Sequence, residues 1–200
     1  EAEAGRVDGR EALALALDET DDLLKTFNAV LSIARLQAAS DIPDPEILDA
    51  AELATDMAEL YDPAAEDKSL DFQSEIERGL DIRGNRAFPA EALANLIDTA
   101  LKYTPAGGAV MLRARHRSSG EVEFTVTDTG PGIAVDDRSR VLERFVRLDD
   151  SRSESGAGLG LSLVQAVAEL HGGRVDIEDG PGMIDGCGPG LRVALVLPAA

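Results

Sequence analysis

The sequence predicts an α/β domain preceded by a long, coiled-coil-like helix. Three observations predict it: an unbroken apolar seam near the start, period-two alternation in a central hairpin, and glycine clusters placed beside otherwise regular helices. Two hundred residues, 44% hydrophobic and 28% charged, suit one full domain with an accessory segment. The reading divides the chain into a helical segment over 1–40, a linker over 41–45 and a mixed domain over 46–200.

From Glu11 to about Ala39 there is neither proline nor glycine. Leu13, Leu17, Thr20, Leu24, Phe27, Leu31 and Ala34 recur in alternating steps of four and three, which is a coiled-coil seam. A helix of roughly 40 Å is expected at 1.5 Å per residue. Nothing within the segment can cover its apolar face, so it needs a partner helix, and a homodimer is the expectation. "SDIPDP", with Pro43 and Pro45, breaks the helix.

Beyond the linker, a helix is expected from about Glu46 to Leu60, then a strand marked by Leu70, Phe72 and Ile76, then a short strand in "LDIRG". "EALANLIDTALKYTP" (91–105) is an amphipathic helix. Leu93, Leu96, Ile97, Ala100 and Leu101 face one way, and Glu91, Asn95, Thr99 and Lys102 the other. Taken alone, that polar stripe is a solvated surface. Val110, Leu112 and Ala114 alternate with arginines, "RSSG" turns the chain, and Val122, Phe124 and Val126 alternate with Glu123, Thr125 and Thr127, so an antiparallel hairpin follows. A short helix around 137–145, a polar loop, a glycine-rich turn, a helix to about Leu170 and two strands complete the domain.

The formal charge of −19 argues against a nucleic-acid partner, because a phosphate backbone demands a basic surface. The single cysteine, Cys187, excludes an intramolecular disulfide and a cysteine-based zinc site. No apolar run approaches the ~20 residues of a membrane span, and no signal-peptide pattern opens the chain. A cytoplasmic location is expected, with the cytoplasmic part of an inner-membrane sensor as the wider context.

Chemistry begins at the end of the hairpin. In "VEFTVTDTGPG", Asp128 shares the face of Val122, Phe124 and Val126, so a carboxylate closes a buried row and needs a donor. It either caps the turn or accepts a hydrogen bond from a ligand's amino group, with Gly130 and Gly132 allowing close approach. A second cluster, Gly156, Gly158 and Gly160, opens the helix "LSLVQAVAEL" and offers free N–H groups and a positive dipole end to a phosphate, or serves as a hinge. It is neither a Walker loop nor a Rossmann turn. "LDDSRSES" before it has the composition of a lid, with Arg144 and Arg147 at its start in reach of phosphate.

In their order, "EALANLIDTALKYTP", "DTGPGI", "ERFVRLDDSRS" and "GAGLGLSLV", followed by "AELHGG", resemble the N box, first glycine box, F box and second glycine box of the sensor histidine kinases. The wider family is shared with gyrase, Hsp90 and MutL. The resemblance spans about residues 45–198. The opening helix is similar to the second helix of the dimerisation and histidine-phosphotransfer hairpin, at "DETDDLLKTFNAVLSIARLQA".

The resemblance implies a Bergerat-type two-layer α/β sandwich with a mixed sheet, holding ATP or ADP with Mg2+. By position, Asp128 would take the adenine amino group, with Gly130, Gly132 and Ile133 shaping that pocket. Asn95 would lie near phosphates and metal, and Lys102 and Tyr103 would line the nucleotide. Gly156, Gly158, Leu159 and Gly160 would make the hinge and phosphate contacts. Arg144 and Arg147 would favour phosphate, Phe145 would anchor the lid, and Glu91 would assist the attacking nucleophile. The implied activity transfers the γ-phosphate to a histidine on a phosphoacceptor helix, for relay to a response-regulator aspartate.

Two departures stand out. Neither His116, in a strand, nor His171, read as a cation at a helix C-terminus, has the helical His-acid context of a phosphoacceptor. Thr99 stands where the N box carries a second asparagine, so the implied metal set is Asn95 with Thr99 in a weakened second place. A degenerate module signalling by conformation is the alternative.

Overall fold

The computed structural model describes residues 9–38, 41–118, 120–148, 157–181 and 188–200. Helix α1 (Gly9–Ala38) leads, followed by β1 (Glu46–Asp49), α2 (Ala50–Asp67), β2 (Asp71–Ile76), β3 (Asp81–Gly84), α3 (Ala87–Tyr103), β4 (Ala109–Arg117) and β5 (Glu121–Asp128). Then come α4 (Gly160–Leu170), β6 (Arg174–Asp179) and β7 (Leu191–Pro198). Five strands form a mixed sheet in the order β2-β4-β5-β7-β6. Only β2 and β4 run parallel. Helices α2, α3 and α4 pack on one face, which gives the two-layer α/β sandwich.

The alternation that predicts the hairpin sets its register. Val110, Leu112 and Ala114 pair with Asp128, Val126 and Phe124, and Val193, Leu195 and Leu197 continue those rows on the other side of β5. All the apolar members of these rows are buried under the helices.

The open face is covered differently. Glu123 and Thr125 of the alternate row are also buried, at 0% and 2% exposure, although no helix lies over them. Arginine side chains lie there instead: Arg115 and Arg192 reach Glu123 Oε1 at 2.9 and 3.1 Å, and Arg117 reaches Oε2 at 3.4 Å. Long basic side chains bury their aliphatic stems while the charged heads stay wet. Burial alone would raise the Glu123 pKa, but the Arg115 hydrogen bond and the charges of Arg192, Arg115 and Arg117 together carry it below the usual carboxylate value.

Three expectations are corrected. Residues 46–49 open the domain as a strand rather than a helix, pairing antiparallel with β3 from Glu46 opposite Gly84 to Asp49 opposite Asp81. The helix runs instead from Ala50 to Asp67, with Asp49 as its N-cap, the carboxylate accepting from the N–H groups of Ala51 and Glu52 at 2.9 Å each. The short helix around 137–145 is instead two single 3₁₀ turns, Val135–Asp137 and Arg140–Leu142. Too few apolar positions recur there to bury a helical face.

His171 is the third correction, for it is buried, and burial favours its neutral form over a helix-end cation. Burial lowers its pKa against the opposing effect of the bond to Val167 O at 2.7 Å. Its ring stands edge-on to Phe88, and a Cβ on Gly84 would lie 2.7 Å from Nε2. His116 is exposed on the hairpin, as expected, with Nε2 3.0 Å from Gly79 O.

Helix α1 shows two apolar faces. The predicted seam is exposed at Leu13, Leu17, Leu24, Phe27 and Leu31. Ile33 and Leu36, at 2% and 3% exposure, are buried where α1 packs on α4. No helix among the described residues is long and apolar enough to cross a membrane.

Candidate functional site

The polar stripe of α3 is not a solvated surface. Glu91, Asn95, Thr99 and Lys102 are all half-buried, whereas Asp98 on the same helix is exposed. The N-terminus of α4 lies against Asn95 and Thr99: a Cβ placed on Gly160 would lie 3.2 Å from Asn95 Oδ1 and 3.7 Å from Thr99 Oγ1. A side chain at 160 would fit only if the Asn95 side chain gave way by a few tenths of an ångström. Asn95 donates its amide to Glu91 O at 2.8 Å, which leaves Oδ1 as the atom turned toward α4. The Thr99 hydroxyl donates to Asn95 O at 2.6 Å, one turn back. Lys102 Nζ lies 5.0 Å from the centroid of the Tyr103 ring.

Among the described residues no side chain caps α4, whose N-cap residue is Leu159. The N–H groups of a first helical turn have no partner within the helix, so this end of α4, beside Asn95, carries the positive end of the helix dipole. This is an anion-receptive terminus set against an oxygen ligand. Gly158, at φ 69°, stands next to it; a Cβ there would meet Val146 O at 2.5 Å and Arg147 Cγ at 3.0 Å. Phe145 N donates to Gly158 O at 3.1 Å, so the two ends of the intervening segment are tied together by backbone. The Phe145 side chain is 64% exposed and its φ is 61°, an unfavourable value for a bulky residue. Arg144 is exposed and Arg147 half-buried. Gly156 and most of the expected lid lie outside the described residues.

Asp128 sits past the other end of α3. At 5% exposure, burial pushes its pKa up to about 6, against the opposing hydrogen bonds from the backbone of Gly130 and Leu191. The Gly130 bond is 2.8 Å long. Both readings of this acid are therefore compatible: it organises the turn with one oxygen and retains acceptor capacity for a ligand. Gly130 is a close-approach glycine, since a Cβ there would lie 2.8 Å from Tyr103 O. Ile133 packs on the core and its carbonyl accepts from Arg138 Nε at 3.2 Å.

Asn95, Thr99 and Gly160 thus meet directly, and Gly158 joins Phe145 and Arg147. Asp128 and Gly130 lie against the end of α3 at Tyr103. A cavity of about 180 Å³ borders Asp128 itself, lined also by Asp71, Gln73, Met111, Thr127 and Thr129. The segment 188–190 was missed by the reading of the sequence. Gly190 N donates to Gly130 O at 3.1 Å, and the available signal was its Gly-Pro-Gly sequence, the same as at 130–132.

Residues 84–200 match the model of the family described as histidine kinase-, DNA gyrase B-, and HSP90-like ATPase. The sensor-like histidine kinase SenX3 of Mycolicibacterium smegmatis is 34% identical over 166 residues, 82% of this chain and 43% of that protein. The chain therefore spans less than half the length of that relative. Among solved structures, full-length ShkA in complex with AMPPNP superposes with a TM-score of 0.78 at 32% identity, over 98% of this chain and 40% of ShkA. The mycobacterial sensor histidine kinase MprB gives 0.65 at 30% identity, over 77% of this chain and 97% of that one.

Proposed function

The chain belongs to the histidine kinase-, DNA gyrase B-, and HSP90-like ATPase family, in its sensor histidine kinase branch, and on that premise we propose that it is the nucleotide-handling module of a sensor histidine kinase. Residues 46–200 form the catalytic unit and 1–40 the helical segment that meets a phosphoacceptor helix. The observation that carries the reading is the apposition of the α4 N-terminus to the Asn95–Thr99 stripe of α3, with a buried carboxylate past the far end of α3.

Each residue has a task in this reading. Asp128 accepts a hydrogen bond from the exocyclic amino group of adenine, and Gly130 admits the ring against the backbone. A carboxylate accepts but does not donate, so it disfavours the carbonyl of guanine. First-turn N–H groups of α4 hold phosphate oxygens. Asn95 offers Oδ1 to magnesium, which, when bound, neutralises charge on the phosphates. The residues fit a cation carried in with the nucleotide, since among the described residues no cluster of three acidic, histidine or cysteine side chains would hold one alone. In the transfer, an imidazole nitrogen of the acceptor helix attacks the γ-phosphorus and the bond to the β–γ bridging oxygen breaks. ADP departs, and Glu91 takes the imidazole proton.

AMPPNP, the ligand in the ShkA structure, is an ATP analogue, which supports an adenine nucleotide here. A response regulator is the expected downstream partner. Calorimetric titration with ATP, ADP and GTP tests the reading: the first two bind and GTP does not. Equal affinity for GTP removes Asp128 from its role. Incubation with labelled ATP leaves this chain unlabelled unless a phosphoacceptor helix is supplied, because neither His116 nor His171 is placed to accept; stable acid-labile label on either histidine overturns that assignment.

A further inference from the structure

Residues 188–190, which lead into β7, meet the Asp128–Gly132 turn backbone to backbone. Gly190 has φ 70° and binds Gly130 O; a Cβ on it would lie 2.3 Å from Asp128 O. A Cβ on Gly132 would lie 2.6 Å from Gly190 O and 2.9 Å from Pro189 Cγ, and one on Gly188 would lie 2.6 Å from Pro131 O. Two Gly-Pro-Gly turns, 130–132 and 188–190, are therefore interlocked, with no room for a side-chain carbon at any of these three glycines.

Gly130, whose carbonyl Gly190 N holds at 3.1 Å, gives its own backbone N–H to Asp128 Oδ1 at 2.8 Å, and Leu191, the residue after Gly190, lies opposite Asp128 in the β5–β7 ladder. The terminal torsion of an aspartate is broad and two-fold rather than locked in a staggered well. Its orientation must come from outside donors. One of those donors, Gly130, is tied to Gly190, whose conformation a residue with a Cβ could not adopt in this space.

We infer that the 188–190 turn is a positioning element for base recognition, with Gly190 setting where the Asp128 carboxyl points. The inference rests on the adenine-binding reading of Asp128. A site that selects an amino group over a carbonyl needs its acceptor held within about 0.5 Å and 10–20° of the productive geometry. The interlock supplies that constraint from a strand that need not touch the nucleotide itself.

The test compares ATP with inosine triphosphate, which carries a carbonyl in place of the amino group, on the full chain and on Gly190→Ala and Pro189→Ala. The native chain is expected to prefer ATP. In Gly190→Ala the preference falls by roughly tenfold, the scale of a lost hydrogen bond to a charged acceptor, while affinity for inosine triphosphate changes little. Pro189→Ala, which removes an exposed ring resting on Gly132 and keeps both glycines, shifts the ratio the same way to a smaller extent. A merely structural role would lower both affinities together and leave their ratio intact. Should Gly190→Ala fail to fold by circular dichroism, Pro189→Ala decides. A native chain that does not discriminate removes the adenine reading itself. A native chain that discriminates, with folded variants keeping its ratio, overturns the positioning role alone.

Discussion

Asp128, the proposed acceptor for adenine, shows what a buried carboxylate costs the fold. Its pKa rises from 3.8 to about 6, so the fold favours the protonated form. Between those pH values the native state binds more protons than the unfolded chain, and stability falls as pH rises through the window, levelling off above about 6. At neutral pH the buried charge costs on the order of 3 kcal/mol, since each tenfold change in proton affinity corresponds to about 1.4 kcal/mol. Asp128→Asn is therefore expected to weaken ATP binding by at least roughly tenfold while the unfolding temperature at pH 7.5 stays equal or rises, checked by calorimetry and thermal melting. Thr99 is a second residue whose chemistry is set by a neighbour. Its hydroxyl is committed to Asn95 O and its β-branched side chain is stiff at χ1. In Thr99→Asn the longer side chain restores a carbonyl beside Asn95, so the magnesium-dependent gain in ATP affinity increases and magnesium-free affinity does not change. Titrations with magnesium and with a chelator measure the difference.

At the scale of elements, the sheet has two solutions for its two faces. Helices cover Val122, Phe124 and Val126, whereas a mesh of arginines covers Glu123 and Thr125. The sign of the Glu123 contribution follows from its lowered pKa: the stability is present above the unfolded value of 4.5 and is lost as pH falls through the lower native value. Glu123→Gln leaves three arginines without their shared acid and is expected to cost about 1–3 kcal/mol at pH 7. Because the variant has no acid left to protonate there, the difference from native narrows as the pH falls through the lowered Glu123 value. Urea unfolding at pH 7 and pH 3.5 reads both. Period-two alternation revealed the hairpin, but it could not reveal that the second row is buried, since burial there depends on Arg192 of a strand about 70 residues away and on Arg115 and Arg117 of the neighbouring one.

Across the whole molecule, the exposed seam of α1 governs assembly. Leaving Leu24, Phe27 and Leu31 in water forfeits roughly 1.5–3 kcal/mol per side chain, and these residues are 54%, 61% and 37% exposed. Self-association through α1 is expected. The chain's charge of −19 opposes it through repulsion that salt screens, so sedimentation velocity should show more dimer at 0.5 M salt than at 0.05 M. Leu24→Glu with Leu31→Glu should abolish that difference and leave a monomer.

The class of fold and the order of its parts are legible in the residues, because both rest on short-range patterns: seven seam positions in α1, the alternating rows of β4 and β5, the amphipathic stripe of α3, and the four motifs in order. The residue types in the candidate site are legible there too. Tertiary structure alone decided what those residues face. The α3 stripe is half-buried rather than solvated because Gly160 lets α4 approach Asn95, a contact between positions 65 residues apart. His171 favours its neutral form because Gly84 and Phe88 close over it, although its place at a helix end suits a cation. Residues 46–49 became a strand because β3 lay ready to pair with them. The second Gly-Pro-Gly turn acquired its meaning only when β7 was laid beside β5. Dihedral preference and periodicity act over a few residues, whereas burial, dielectric and packing are properties of whatever the rest of the chain brings alongside.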